Sequence, residues 1–446
     1  MGLMFKSHPK GFNTLFFVEM WERFGFYTLM AVLTLFMLDD FIWTEEKVSP
    51  IFGFFVAGVY IFPILGGIIS DRWLGQKNSI RVGAVISMVG YFTLVFSSPE
   101  RTPLLFAGLT AVAFGTGLFK PNINALRGNL YNKDSQHLKD NGFNIAYMGV
   151  NIGAAISPWA ALLLRQAYIK NTESFIKFGI DNYHACFALA GIGMIVALII
   201  STLGQKNYDY ADSIHLRKNM NKTSANQSEH HIEIPRSEYV ERLISLCILF
   251  AIAMFFWLAF YQNGTALTYF AKYSTQKINW LTPEVYQTFN PIFIVTLTPL
   301  LIGCLAYLTR KGINLTAPDK IMLGFLVAGL APLVMAIASY IDKSSIAPNS
   351  MSPLWLIGTY FMVSIAEILI SPLGMSYVSK VAPPSMGSSI MGLWLGATGV
   401  GSLMAGLFAS LYNKLDRTVF FLIIMGLLLL SAAAVSIFKK KLNKFA

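Results

Sequence analysis

Twelve long apolar blocks, separated by short polar joints, constrain this 446-residue chain more than any other feature. Each comes near the ~20 residues that a helix needs to cross the hydrocarbon core of a bilayer. The predicted spans are 11–38, 48–70, 80–98, 103–126, 142–164, 183–203, 240–271, 286–309, 319–341, 352–378, 386–412 and 418–438. Only 13% of residues are charged, against about 25% in an average soluble domain. The expected class is an all-α polytopic membrane protein.

The basic residues set its orientation. Of the 34 Lys and Arg, 22 fall in the segments or span ends on the amino-terminal side, ten on the opposite face, and two, Arg23 and Lys120, inside helices away from those ends. The positive-inside rule then predicts both termini in the cytoplasm, in the plasma membrane or a bacterial inner membrane. The net charge of +11 is topological on this reading and does not point to nucleic acid. Cys186, Cys247 and Cys304 lie in apolar spans at spacings that fit neither a metal site nor a disulfide framework, so they read as small buried hydrophobes. No cofactor is expected, and no His falls in a nucleophile or metal constellation, so the chain does not read as an enzyme.

Residues 204–239 form the one long polar stretch and divide the blocks into six and six. The predicted organisation is a bundle over 1–203, a cytoplasmic linker over 204–239 and a second bundle over 240–446, with substrate bound between halves near the midplane. Within the linker, His230-His231 reads as a solvated pair. Asn221-Lys222-Thr223 is a formal glycosylation sequon on the cytoplasmic side, expected to stay unmodified.

The first span carries charge where lipid would penalise it: Glu19-Met20-Trp21-Glu22-Arg23-Phe24-Gly25-Phe26-Tyr27. Each charge at a membrane midplane costs roughly 2.5–3.5 kcal/mol even on the mildest scale. Glu19, Glu22, Arg23 and Phe26 share one helical face, with Tyr27 beside it. Lys120 lies late in the fourth span, where it either snorkels to the interface or faces the interior. Glu367 is deep in the tenth span with no charged neighbour in its helix, so it should be neutral or meet a cation from elsewhere. Tyr60, Asn151, Gln262, Asn263 and Asn290 complete a polar set in apolar helices; each reads as interhelical glue or as a ligand contact. A zwitterion would put its carboxylate near Arg23 and Lys120 and its ammonium near Glu367, with Asn151 and Asn290 as acceptors.

Several of these stretches resemble the proton-dependent oligopeptide transporter family of the major facilitator superfamily. Glu19-xx-Glu22-Arg23-Phe24 is similar to its ExxERF motif, and Gly66-Gly67-Ile68-Ile69-Ser70-Asp71-Arg72 to its second-to-third helix loop. Gly115-Thr116-Gly117-Leu118-Phe119-Lys120-Pro121-Asn122 and Phe143 to Ala154 resemble its helices four and five, and Ser371 to Val378 and Met391-Gly392-Leu393-Trp394 its carboxyl-terminal half. The resemblance implies a major facilitator fold of twelve transmembrane helices in two six-helix bundles, importing di- and tripeptides with protons and acting as a monomer. It places Glu19, Glu22, Arg23 and Glu367 in proton coupling. It places Arg23 and Lys120 at the peptide carboxylate, and Glu367, Asn151 and Asn290 at the amino end. Tyr27, Tyr60 and Trp394 would line side-chain pockets, with Gln262 counted among the substrate contacts.

Two departures bear on coupling. Many members carry an acid in helix seven after Phe-Trp, whereas here Phe256-Trp257-Leu258-Ala259-Phe260-Tyr261-Gln262-Asn263 offers Tyr261. The first aromatic of the usual Tyr-Tyr pair is Phe26. The two extra helices that bacterial members often carry between the bundles are also missing, since 204–239 is too short and polar for them. The alternative reading keeps the fold and moves another small solute, an amino-acid derivative, an anion or a drug-like compound, with weak or altered proton coupling.

Overall fold

A computed structural model describes residues 8–131, 135, 138–170, 182–212, 235–342, 346–383 and 386–444. Among them, the only β pairings are two isolated bridges, Thr275 with Met351 and Ile278 with Leu281. The helices are α1 (Phe12–Asp39), α2 (Glu45–Ile69), α3 (Gly75–Val95), α4 (Thr102–Asn129), α5 (Lys139–Lys170) and α6 (Asn182–Leu203). They continue as α7 (Arg236–Phe260), a short α8 (Ala266–Tyr273), α9 (Phe289–Arg310), α10 (Ala317–Ile341), α11 (Leu354–Val381), α12 (Gly387–Ala409) and α13 (Arg417–Asn443).

Ten stretches among the described residues have the length and apolarity of a crossing. One of them, Glu45–Val95, contains both α2 and α3, joined through a π-helical turn at Ser70–Leu74. With 28 residues, α1 is as long as the others, and the charges at its middle set it apart. The twelve expected crossings are therefore α1 to α7 and α9 to α13, with α8 continuing α7.

Local chemistry starts and stops these helices. Gly75 takes φ +73°, a left-handed conformation that turns the chain from α2 into α3. Thr316 and Asp319 form a reciprocal capping box at the start of α10, and the Asp416 carboxylate accepts from the backbone N–H of Thr418 and Val419 at α13. One end departs from expectation: α4 runs through Asn129, three residues past the predicted limit of its span. Arg127 therefore lies inside a helix and not in a cytoplasmic loop.

Two compact units result, one of Met1–Phe36 with Gly58–Glu229 and one of Met37–Ala57 with His230–Ala446. In the first, α3 and α4 touch backbone to backbone along glycines. A Cβ on Gly83 would come within 2.6 Å of Gly115 O, and one on Gly90 within 2.8 Å of Val112 N. The beginning of the polar segment folds into this unit as two short 3₁₀ turns. Tyr208 is buried there on Ser201, Lys77 pairs with Asp209 at 2.5 Å, and Gln76 N–H donates to Asp212 at 3.1 Å. His230-His231 and Asn221-Lys222-Thr223 lie outside the described residues. In the second unit, Glu45–Ala57 of α2 packs on α8 and α12: Ser49 meets Tyr269 at 2.7 Å, and Gly53 abuts Gly406. Of the cysteines expected to be buried, only Cys186 is; Cys247 on α7 and Cys304 on α9 are exposed. A thiol is a small apolar group with only a weak donor, so it does not require a protein interior.

Candidate functional site

Each unit gathers part of the predicted site. In the first, Glu22 and Arg23 form a bidentate pair, Nη2 to Oε1 at 2.5 Å and Nε to Oε2 at 2.6 Å. Both side chains are buried, at 2% and 4% exposure, so the pair takes the place of water for both ions. The Arg23 guanidinium also lies 4.6 Å from the Phe26 ring centroid, and Tyr27 packs edge-on against Phe26. The ring at position 26 thus stacks on the cation even though it has no hydroxyl.

Glu19, one turn before Glu22, accepts from Arg127 of α4, and both side chains are buried. Arg127 is the residue that sequence reasoning missed, because its span was ended at 126. The signal was present: Arg127 follows Lys120 by seven residues, which puts both on one face of α4. Lys120 does not reach a carboxylate among the described residues; its ammonium sits over the Tyr60 ring at 4.8 Å. Asn122 spends its amide on Leu118 O at 2.7 Å and Gly66 O at 3.4 Å, tying α4 to α2. Asn151 donates to Tyr147 O of its own helix at 2.9 Å. Gly153 holds α5 on α1, since a Cβ there would meet Met20 O at 2.7 Å and Phe24 N at 3.1 Å.

The second unit carries the complementary charge. Glu367 of α11 accepts from Asn290 Nδ2 of α9 at 2.9 Å, and the same amide group lies 3.1 Å from Ser364 Oγ. Ser364 in turn donates to Tyr360 O at 2.7 Å. No ion pair among the described residues includes Glu367. Gln262 lies where α7 breaks into a 3₁₀ turn, Tyr261–Gly264, before α8 resumes. Its amide donates to Leu258 O and Ala405 O, and its oxygen accepts from Thr265, so Gln262 closes the backbone gap that the break opens. Tyr261 is buried against Trp257 and Phe260. Trp394 is also buried, with its ring on Gly374 of α11.

Buried charge paired in this way, in a bundle of membrane helices, is the pattern of a solute pathway. The sequence profile of the POT family, the proton-dependent oligopeptide transporters, matches residues 77–226 and 209–425. The chain belongs to the POT family. It is a multi-pass membrane transporter, not an enzyme. The peptide transporter YePEPT of Yersinia enterocolitica is 29% identical, over 91% of this chain and 88% of its own length. Dipeptide and tripeptide permease A of Chromobacterium violaceum is 28% identical over 92% and 86%. Among solved structures, a mutant of peptide transporter POT with alafosfalin superposes at a TM-score of 0.84 and 26% identity, covering 99% of this chain and 96% of that one. A POT family transporter with 5-aminolevulinic acid gives 0.83 and 25%, covering 99% and 98%.

Proposed function

We propose that this POT family member imports di- and tripeptides together with protons by alternating access, as a monomer in the plasma membrane with both termini cytoplasmic. Its functional halves are 1–203 and 240–446, linked by 204–239. One observation carries the reading: Lys120 in the first unit has an aromatic ring for company, and Glu367 in the second an amide. A cation and an anion each left without a counterion among the described residues match the two ends of a zwitterion. The peptide carboxylate is held by Arg23 and Lys120, and its ammonium by Glu367 with Asn290 and Asn151. Tyr27, Tyr60, Gln262 and Trp394 shape the room for side chains. The relatives named for peptides and for di- and tripeptides support this cargo.

Coupling runs through Glu19, Glu22, Arg23 and Glu367. When the substrate carboxylate takes Arg23, Glu22 loses its counterion and becomes a buried carboxylate that gains by accepting a proton. The pair then acts as a two-state element biased by one charge. One charge crossing 100 mV supplies about 2.3 kcal/mol, roughly a fiftyfold concentration gradient. The test is uptake of a labelled dipeptide by proteoliposomes under an inward proton gradient. Saturable, proton-driven uptake supports the proposal, and its absence sinks it. A second reading, another small zwitterion with altered coupling, draws on two observations: Tyr261 stands where an acid is common, and one similar structure holds 5-aminolevulinic acid.

A further inference from the structure

We propose that Arg127 is a positioning residue of the coupling machinery, holding Glu19 as a permanent carboxylate so that Glu22 is the proton-exchanging acid of the first unit. The inference rests on the transport reading above and divides the roles of two carboxylates that the motif presents alike.

The two ion pairs differ in what can replace them. Arg127 is buried to 2% exposure; one guanidinium nitrogen meets Glu19, another meets Asn124 Oδ1 at 3.2 Å, and Nε has no hydrogen-bond acceptor. A guanidinium cannot discharge itself by losing a proton. Protonating Glu19 would therefore strand a buried cation whose only other hydrogen-bonded neighbour among the described residues is a neutral amide, the costly way to break a buried pair. Arg127 also lies about 10 Å along α4 from Lys120, at 1.5 Å per residue. A carboxylate held at Lys120 and Arg23 is thus too far away to take over from Glu19. Glu22 is placed otherwise: its cation, Arg23, is the one the ligand carboxylate would claim. A proton from the external solution then adds to Glu22, replacing its two hydrogen bonds to Arg23, and leaves to the cytoplasm when the substrate departs and the pair re-forms.

The surroundings of Arg127 fit a fixed role. The Phe143 ring of α5 lies 5.7 Å from its guanidinium carbon. Among the described residues, the titratable groups facing these pairs are Tyr27 of α1 and Tyr60 of α2, within electrostatic reach of Arg23, Tyr91 of α3, within reach of Glu22 and Arg23, and Tyr131, two residues past the end of α4, within reach of Arg127 and hydrogen-bonded to His8. Lys139 of α5 packs at Gly128, next to Arg127. None of these supplies a second carboxylate to Arg127. With Glu19 committed to it, Glu22, Arg23 and Lys120 remain, one positive charge in excess, which is what one ligand carboxylate neutralises.

The test is peptide counterflow without a proton gradient, from pH 5 to 9, for the wild type, Arg127→Leu, Arg127→Lys and the Glu19→Gln/Arg127→Leu double variant. Arg127→Leu leaves Glu19 as a buried acid with no cation. A new pH dependence should appear, with counterflow at least tenfold lower at pH 8 than at pH 6 relative to the wild type. Arg127→Lys and the double variant should lack it. If Arg127→Leu follows the wild-type profile, or the double variant keeps the new dependence, the proposal is wrong. Thermal unfolding of the purified proteins over the same range gives a readout independent of cargo: Arg127→Leu should lose stability with rising pH, and the double variant should not. If that pattern holds while the wild type moves no peptide, the cargo reading fails and the role of Arg127 stands. Should Arg127→Leu not fold, the double variant must fold better, and equal failure of both overturns the proposal.

Discussion

Replacing Glu367 by Gln isolates the ammonium grip. The amide oxygen of Gln can still accept from Asn290 Nδ2, now at 2.9 Å, and the Asn290–Ser364 contact at 3.1 Å needs no charge. The fold around α9 and α11 should therefore survive, and only the charge is lost. A hydrogen bond to a charged group contributes about 1.5–3 kcal/mol, which corresponds to a loss of roughly 10- to 150-fold in dipeptide affinity. Binding to purified protein, measured by calorimetry, reads this directly. An N-acetylated dipeptide, which has no ammonium, is the control: it should bind wild type weakly and be almost indifferent to Glu367→Gln. Equal affinity of both proteins for the free dipeptide would refute the assignment. So would an equal loss for the acetylated one, because the effect would then come from packing.

Four further outcomes follow from the geometry. Glu22→Gln should keep peptide counterflow while abolishing proton-driven accumulation; uphill concentration by this variant would remove Glu22 from the coupling. Tyr261→Glu should raise the accumulation ratio, and an unchanged ratio would mean that the native chain couples fully without an acid in α7. Gly153→Ala puts a Cβ 2.7 Å from Met20 O and must push α5 off α1, so it should destabilise by about 1–3 kcal/mol; an unshifted melting temperature in detergent would contradict that packing. Burial pushes the His8 imidazole below its usual value, with its ring stacked on Phe12 at 4.6 Å. The unfolded chain then binds the proton more readily, so the contribution is present above about pH 6.5 and is lost as pH falls through the lowered folded value. The melting-temperature advantage over His8→Phe should shrink between pH 7.5 and 5.5, and a constant difference would count against it.

The class of fold was legible because bilayer thickness writes itself into sequence as length and apolarity. The candidate site was legible because Glu19, Glu22, Arg23, Lys120 and Glu367 are types that lipid does not tolerate without a reason, and the family because the stretches around them resemble its motifs. Those constraints act on residues one at a time or on one helix face, so a linear reading can recover them. Pairing is different. Sequence put Glu19, Glu22 and Arg23 on one stripe, but which carboxylate meets which cation depends on where α4 lies relative to α1, and that is decided by packing between helices far apart in the chain. Tertiary structure decided that Glu22 binds its own neighbour, that Glu19 binds Arg127, and that Glu367 rests on Asn290. It also showed Gln262 closing the break between α7 and α8, something no periodicity reveals because a helix break is satisfied by whichever chain lies opposite. The charges themselves were fixed by the sequence alone; their partners were fixed only when helices far apart in the chain came within hydrogen-bond reach.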